Sequence, residues 1–242
     1  MQSINYSELV SLSQQWRIPL SLVEHGGYPS IRMTGVNNPW SIKEREFNVM
    51  RETIISNNLT RGFEVATAFG ISTLALGLGF KETNGLLVTM DAFIEENREH
   101  SGAYIEEYNV TFQDSKGFKS VSDLITHFGL GSTVLPTVGW SPIDTLTNIG
   151  KGFNAAETPL DFAFIDAGHW DSALIADVSA IKGVMSPDKF VVFIHDLHCF
   201  SDTALKVVEE SLGGIVHRVA SCAIPTGFNL AYVAKGVQVW GE

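Results

Sequence analysis

Cysteine is nearly absent from this chain. Cys199 and Cys222 are the only two among 242 residues, too few for a disulfide framework and without the clustered spacing of a zinc site. Basic residues are scarce too: 16 Lys and Arg stand against 27 Asp and Glu, a net charge of −11. Such a chain has no electrostatic reason to seek phosphate backbones or anionic lipid, and its Lys and Arg are scattered rather than blocked. Nucleic acid and membrane are therefore not expected partners. Long apolar runs are missing as well. Residues 190–194 form one of the longest, far short of a bilayer span, and residues 1–8 carry no basic segment followed by an apolar one. A cytoplasmic location is the expectation, by elimination.

What is present is a composition for folding. Hydrophobic residues make up 45% and charged residues 18%, which disfavours disorder and suits an α/β domain with a real core. Residues 1–60 read as a helical extension. Turn chemistry at Gly26-Gly27, Tyr28-Pro29 and Asn37-Asn38-Pro39 interrupts it, then Ser41 with Glu44 reads as a capping box. Phe47, Met50 and Ile54 follow at helical spacing.

From residue 61 to 242 the pattern becomes strands alternating with helices. Strands are expected over 62–67, 86–92, 133–138, 162–166 and 190–195. Helices are expected over 71–78, 95–108, 120–128 and 172–184. Runs such as Phe-Ala-Phe-Ile and Phe-Val-Val-Phe-Ile are continuously apolar, as in a parallel sheet covered on both faces. A helix near 201–211 and strands near 215–220 and 229–234 close the chain. The link between the last two strands is too short for a parallel crossover, so they should pair antiparallel. The predicted fold is α/β: a doubly wound, Rossmann-like, mostly parallel seven-stranded sheet with an antiparallel C-terminal strand.

Ligands of such sheets collect at the carboxyl ends of the strands. The first strand end runs Glu64-Val65-Ala66-Thr67-Ala68-Phe69-Gly70-Ile71-Ser72-Thr73. This is a tight turn opening a helix, suited to close backbone approach and to helix N-terminal amides. A plain βα turn reads the same way. It is not G-x-G-x-x-G, since Ala66 and Ala68 stand where glycines would be. Asp91 ends the second strand, where a carboxylate accepts hydrogen bonds from a ribose or caps the next helix. Gly139, Trp140 and Ser141 end the third. Asp166, His169, His195, Asp196 and His198 end the fourth and fifth. Neighbouring parallel strands lie about 4.8 Å apart, so these side chains can converge on one ion, and oxygen ligands with an imidazole suit Mg, Mn or Fe.

Glu64-x-x-Thr67-x-x-Gly70-x-Ser72-Thr73 resembles the first motif of class I S-adenosylmethionine-dependent methyltransferases, in their small-molecule O-methyltransferase branch. Phe164-Ile165-Asp166-Ala167-Gly168-His169, with Asp177 and then His195-Asp196, resembles a bacterial subgroup with Phe-Ile-Asp-Gly-x-His and a His-Asp pair. The resemblance covers roughly residues 47–234. It implies that Glu64, Ala66, Thr67, Gly70, Ser72 and Thr73 line the methionine part of S-adenosylmethionine and that Asp91 holds the ribose. Gly139, Trp140 and Ser141 would flank the adenine, with Asp166 also at the cofactor. In macrocin-type relatives the matching aspartates bind magnesium and the matching histidine is the general base. This implies Asp166 and His169 as catalytic, and Asp166, Asp196 and His195 as ligands of Mg2+ or another divalent cation. His195 replaces an acidic residue, and Ala66 stands where the family has glycine.

The implied reaction is O-methylation of a small-molecule hydroxyl, in a protein that resembles homodimeric relatives. The acceptor pocket is expected from residues 1–60 and 93–118, with Trp40, Tyr104, Tyr108 and Phe112 as candidates for its lining. A metal-dependent hydrolase or oxygenase using Asp166, His169, His195 and Asp196, a dinucleotide oxidoreductase lacking the glycine fingerprint, and a non-catalytic S-adenosylmethionine binder are the alternatives.

Overall fold

The computed structural model describes residues 21–25, 28–32, 42–67, 70–91, 121–122, 125–139, 142, 145, 159–224 and 227–242. Trp40, Tyr104, Tyr108, Phe112, Trp140 and Ser141 lie outside them.

Strands β1 (Ser21–His25) and β2 (Tyr28–Arg32) pair antiparallel, with His25 opposite Tyr28. At these two strands the structure departs from the helical segment expected over residues 1–60, of which residues 1–20 and 33–41 lie outside the described residues. The Gly26-Gly27 sequence between the strands is the composition that two-residue hairpin connections favour, and it outweighs the short helical patterns. Helix α1 (Glu44–Ser56) does bury Phe47, Met50 and Ile54 as expected, but Glu46 and Thr53 are buried with them. Its capping differs from the Ser41/Glu44 expectation: the Lys43 backbone N–H donates to Glu46 Oε2 at 2.7 Å.

The remaining elements are β3 (Arg61–Val65), α2 (Ile71–Glu82), β4 (Leu86–Asp91), β5 (Val134–Val138), β6 (Phe162–Ile165), α3 (Asp171–Lys182) and β7 (Phe190–His195). They are followed by α4 (Asp202–Leu212), β8 (His217–Arg218), β9 (Ala223–Ile224), β10 (Gly227–Phe228) and β11 (Leu230–Lys235). Seven strands form one sheet in the order β5-β4-β3-β6-β7-β11-β8. The first five are parallel, and β11 runs antiparallel to both β7 and β8. The seven-stranded sheet with an antiparallel finish is thus as the sequence predicts. The strand order turns back between β3 and β6, which opens the crevice where ligands bind in such sheets.

Alternation along the strands assigns each side chain to a face. Phe162, Phe164, Val191 and Phe193 belong to one cluster with Phe47, Met50, Ile54, Leu74 and Phe80 of α1 and α2. Ala163, Ile165, Val192 and Ile194 belong to another with Leu174, Val178, Leu205 and Val208 of α3 and α4. The result is three layers, helix–sheet–helix, and α1 shares its core with the elements after residue 60. Each fully buried phenylalanine contributes roughly 1.5–3 kcal/mol over an exposed one. Gly79 lets α1 close on α2, because a Cβ there would stand 3.2 Å from Ile54.

Two tethers fix the edges. Asp161 accepts from the Thr60 and Arg61 backbone N–H groups at 2.7 and 3.0 Å, locking the start of β3 to the start of β6. Beyond β11 the chain returns to α1: the Trp240 N–H donates to Thr53 Oγ1 at 3.0 Å, and the Arg45 guanidinium lies 4.8 Å from the Trp240 ring centroid.

Candidate active site

The carboxyl edge of β3 and β4 is built from hydroxyls and backbone. Gly62 and Glu64 share the face of β3 that meets α2, so Glu64 points at the first turn of that helix. Thr73 Oγ1 donates to Glu64 Oε2 at 2.6 Å, while Glu64 Oε1 is buried without a hydrogen-bond partner. The chain then turns sharply. Ala66 has φ +73°, its N–H and that of Thr67 donate to Met90 O at 2.8 and 3.1 Å, and Gly70 at φ +84° precedes α2. Thr67 Oγ1 meets Thr89 Oγ1 at 2.5 Å, and Ser72 is buried beside them. The Gly139 N–H donates to Asp91 O at 2.9 Å, so the ends of β4 and β5 adjoin. A Cβ on Gly139 would strike Thr145 Oγ1.

The edge of β6 and β7 is charged. His195 follows Val191 and Phe193 by strand parity onto the α1 face of the sheet. Its Nδ1 lies 3.0 Å from Asp166 Oδ1 and 3.6 Å from Asp196 Oδ2. Its Nε2 lies 3.3 Å from Glu46 Oε2 and 2.8 Å from Asn229 Nδ2, which also donates to Glu46 Oε1 at 2.8 Å. Asp196 has φ +50°, a left-handed turn that brings its carboxylate back over the strand end, where Oδ2 meets His169 Nε2 at 3.1 Å. His198 Nδ1 stands at 4.0 Å from Asp196 Oδ1.

Among the described residues, Asp166, His195 and Asp196 form a group whose ligand atoms all lie within 4.8 Å of one another. Three carboxylates (Glu46, Asp166, Asp196) surround two imidazoles, so the cluster stays short of positive charge even with both imidazoles protonated. The donor set therefore fits a divalent cation.

The family described as "Methyltransferase domain" matches residues 63–197, more than half of the chain and all four of these strand ends. The chain belongs to this methyltransferase family. Among solved structures it is similar to cofactor-bound Rv0187 from MTB (16% identity, TM-score 0.54, 81% of each chain covered). It is also similar to the O-methyltransferase TomG from Streptomyces achromogenes in complex with SAM (13%, 0.54, 81% of this chain and 82% of that one). A third is the SAH-bound Podospora anserina methyltransferase PaMTH1 (13%, 0.52, 96% and 97%). At such identities the likeness is one of fold. No curated protein matches the chain.

Electrostatics separate the two edges of the methyltransferase further. Burial pushes the Glu64 carboxyl up to about 7, against the hydroxyls of Ser72, Thr73 and Thr89. Burial likewise raises Asp166. Burial also works to raise Asp196, but hydrogen bonds from His169 and His195 outweigh it and hold the carboxyl well below the usual range. The same hydrogen bond raises His169. For His195 the loss of solvent favours the neutral ring, yet Asp166 and the other carboxylates carry it well above its ordinary value. Asp177 of α3, one helical stretch on, is pushed by burial to about 6.

Glu46, Asn229 and Trp170 were not among the residues predicted from sequence. Glu46 had a signal: it stands four residues before Met50 and eight before Ile54, on the stripe that α1 buries. Trp170 is 62% exposed beside His169, and its ring packs over Gly168, where a Cβ would come within 3.0 Å of it. Nothing local in the sequence marks Asn229, which reaches the site only because β11 pairs with β7.

Proposed function

We propose that this methyltransferase moves the methyl group of S-adenosylmethionine to a hydroxyl of a small-molecule acceptor. The observation that carries the reading is the pairing of two unlike strand ends. The hydroxyl-lined turn holds a buried, unpaired carboxylate oxygen on Glu64, and the Asp166/His169/His195/Asp196 cluster adjoins it across the sheet's turning point. The three solved structures of similar fold hold a cofactor, SAM and SAH respectively.

The cofactor supplies a methyl group on a sulfonium, and the rest is positioning. Glu64 Oε1 pairs with the amino group of the methionine moiety. Ala66, Thr67, Gly70, Ser72 and Thr73 cradle that moiety, and the Asp91 carboxylate takes the ribose hydroxyls. Gly139 would flank the adenine, as the family resemblance also implies for Trp140 and Ser141. Trp170 offers a flat apolar wall to the acceptor. His169, half-exposed and held at Nε2 by Asp196, would accept the hydroxyl proton at Nδ1. Asp166, Asp196 and His195 would hold a divalent cation that lowers the hydroxyl pKa and orients it.

The test is calorimetric titration with S-adenosylhomocysteine, repeated with Mg2+ and with chelator. Micromolar binding is expected, with a magnesium effect if the cation lies beside the cofactor. A folded protein that binds nothing under either condition overturns the reading and favours metal-dependent hydrolysis at the same cluster.

A further inference from the structure

The cation site proposed above leaves one buried group unexplained. Glu46 is 1% exposed and comes from α1, outside the residues that match the methyltransferase family. A carboxylate so deep is costly unless something holds it, and every contact it makes is spent on the far side of His195. The Lys43 N–H fixes Oε2, Asn229 fixes Oε1, and Oε2 looks at His195 Nε2 from 3.3 Å.

The carboxylates on both sides favour a ring that carries both protons; a cation would displace one, and the two faces of the ring pose a choice of which stays. With the proton on Nδ1, His195 donates to Asp166 at 3.0 Å and accepts from Asn229 Nδ2 at 2.8 Å. With the proton on Nε2, it donates to Glu46 and turns the Nδ1 lone pair toward the gap between Asp166 and Asp196. A histidine binds a metal through an unprotonated nitrogen, and its other N–H is held by an acceptor, commonly a carboxylate. The acceptor required for the second arrangement is Glu46. The competitor is Asn229, whose amide favours the first.

We propose that Glu46 is a positioning residue that lets His195 ligate a divalent cation, by accepting the hydrogen bond from Nε2–H while the unprotonated Nδ1 faces the aspartates. This rests on the proposed cation site and goes beyond it, since it assigns a role in metal binding to the N-terminal helix. Asn229 holds Glu46 in place by donating to its Oε1.

The test uses the whole protein and Mn2+ alone, read by calorimetry and by electron paramagnetic resonance. Glu46→Gln keeps the shape and an acceptor for the Lys43 N–H, so it should fold; Glu46→Ala is the deeper cut. Both are expected to weaken Mn2+ by about 10–100-fold, the glutamine less, with S-adenosylhomocysteine affinity unchanged. A purely structural role would not move the second readout, the nitrogen spectrum of His195. Addition of Mg2+ to the wild-type protein should leave its ring with a proton on Nε2 alone. Glu46 variants that bind Mn2+ as tightly as the wild type, or a loaded protein that keeps the proton on Nδ1, overturn the role of Glu46. A wild-type protein that takes up no Mn2+ removes the cation site itself and this proposal with it, leaving the methyl-transfer reading to stand on cofactor binding.

Discussion

The two halves of the sheet's carboxyl edge are built on opposite plans. Beside β3, β4 and β5 the polar groups are threonine and serine hydroxyls, backbone amides, the Asp91 carboxylate and a second carboxylate, Glu64, driven toward neutrality by burial. Beside β6 and β7 there are two aspartates and two histidines, with a third carboxylate delivered from α1. The first half suits a ligand held by shape and dipoles; the second concentrates charge. Both edges rise from the same sheet. The difference comes from which helix covers each strand end: α2 brings Ser72 and Thr73 to Glu64, while α1 brings Glu46 to His195.

The contrast is broken most severely by removing the charged half's base. His169→Ala is expected to lower kcat by roughly 10²–10⁴-fold with cofactor affinity retained. Turnover equal to wild type on an acceptor that the wild type methylates would remove His169 from that role. On the other half, Asp91→Ala should leave the fold intact and weaken S-adenosylhomocysteine by about 10–100-fold, the worth of hydrogen bonds to a charged group. Undiminished affinity in calorimetry would separate Asp91 from the ribose.

Glu64 offers a pH test with a definite sign. Folded, its carboxyl keeps a proton up to about 7; the ordinary value is 4.5. Stability from this group is therefore full below pH 4.5 and is lost as pH rises to about 7. Glu64→Gln should melt close to wild type at pH 4.5 and be more stable at pH 8 without cofactor, by up to about 3 kcal/mol, while binding S-adenosylhomocysteine less tightly. A stability difference that does not change between those pH values would show that Glu64 does not carry this linkage. The smallest effect is expected at Ala66. Its left-handed backbone costs an L residue roughly 1–2 kcal/mol, and glycine offsets part of the relief through unfolded-state entropy. Ala66→Gly should gain about 0.5 kcal/mol in urea unfolding; a loss above 1 kcal/mol would mean that the Ala66 methyl packs.

Much of this was legible in the chain. The five parallel strands, the antiparallel finish and the strand-end residues follow from apolar runs and short links, because sheet periodicity and connection length are local properties. Asp166, His169, His195 and Asp196 meet as their positions after two neighbouring strands imply. The hairpin at residues 21–32 was not foreseen, because its strands are short and Gly26-Gly27 reads as a generic turn. Glu46 was readable as a carboxylate on a buried stripe, yet the partner that makes its burial tolerable lies 149 positions away. Asn229 depends on the β7–β11 register, Leu230 facing His195, which no local pattern encodes.

That register has a consequence for how the site can change over time. His195 reaches Glu46 only because it shares a side of β7 with Val191 and Phe193. Insertion or loss of a single residue in that strand would swing the imidazole into the α3/α4 layer and bring Ile194 toward the carboxylates. New chemistry at this edge is therefore open to residue exchange, one side chain at a time, and closed to any change in strand length. A lineage drifting from this enzyme would keep the spacing of residues 190–196 long after their identities had changed.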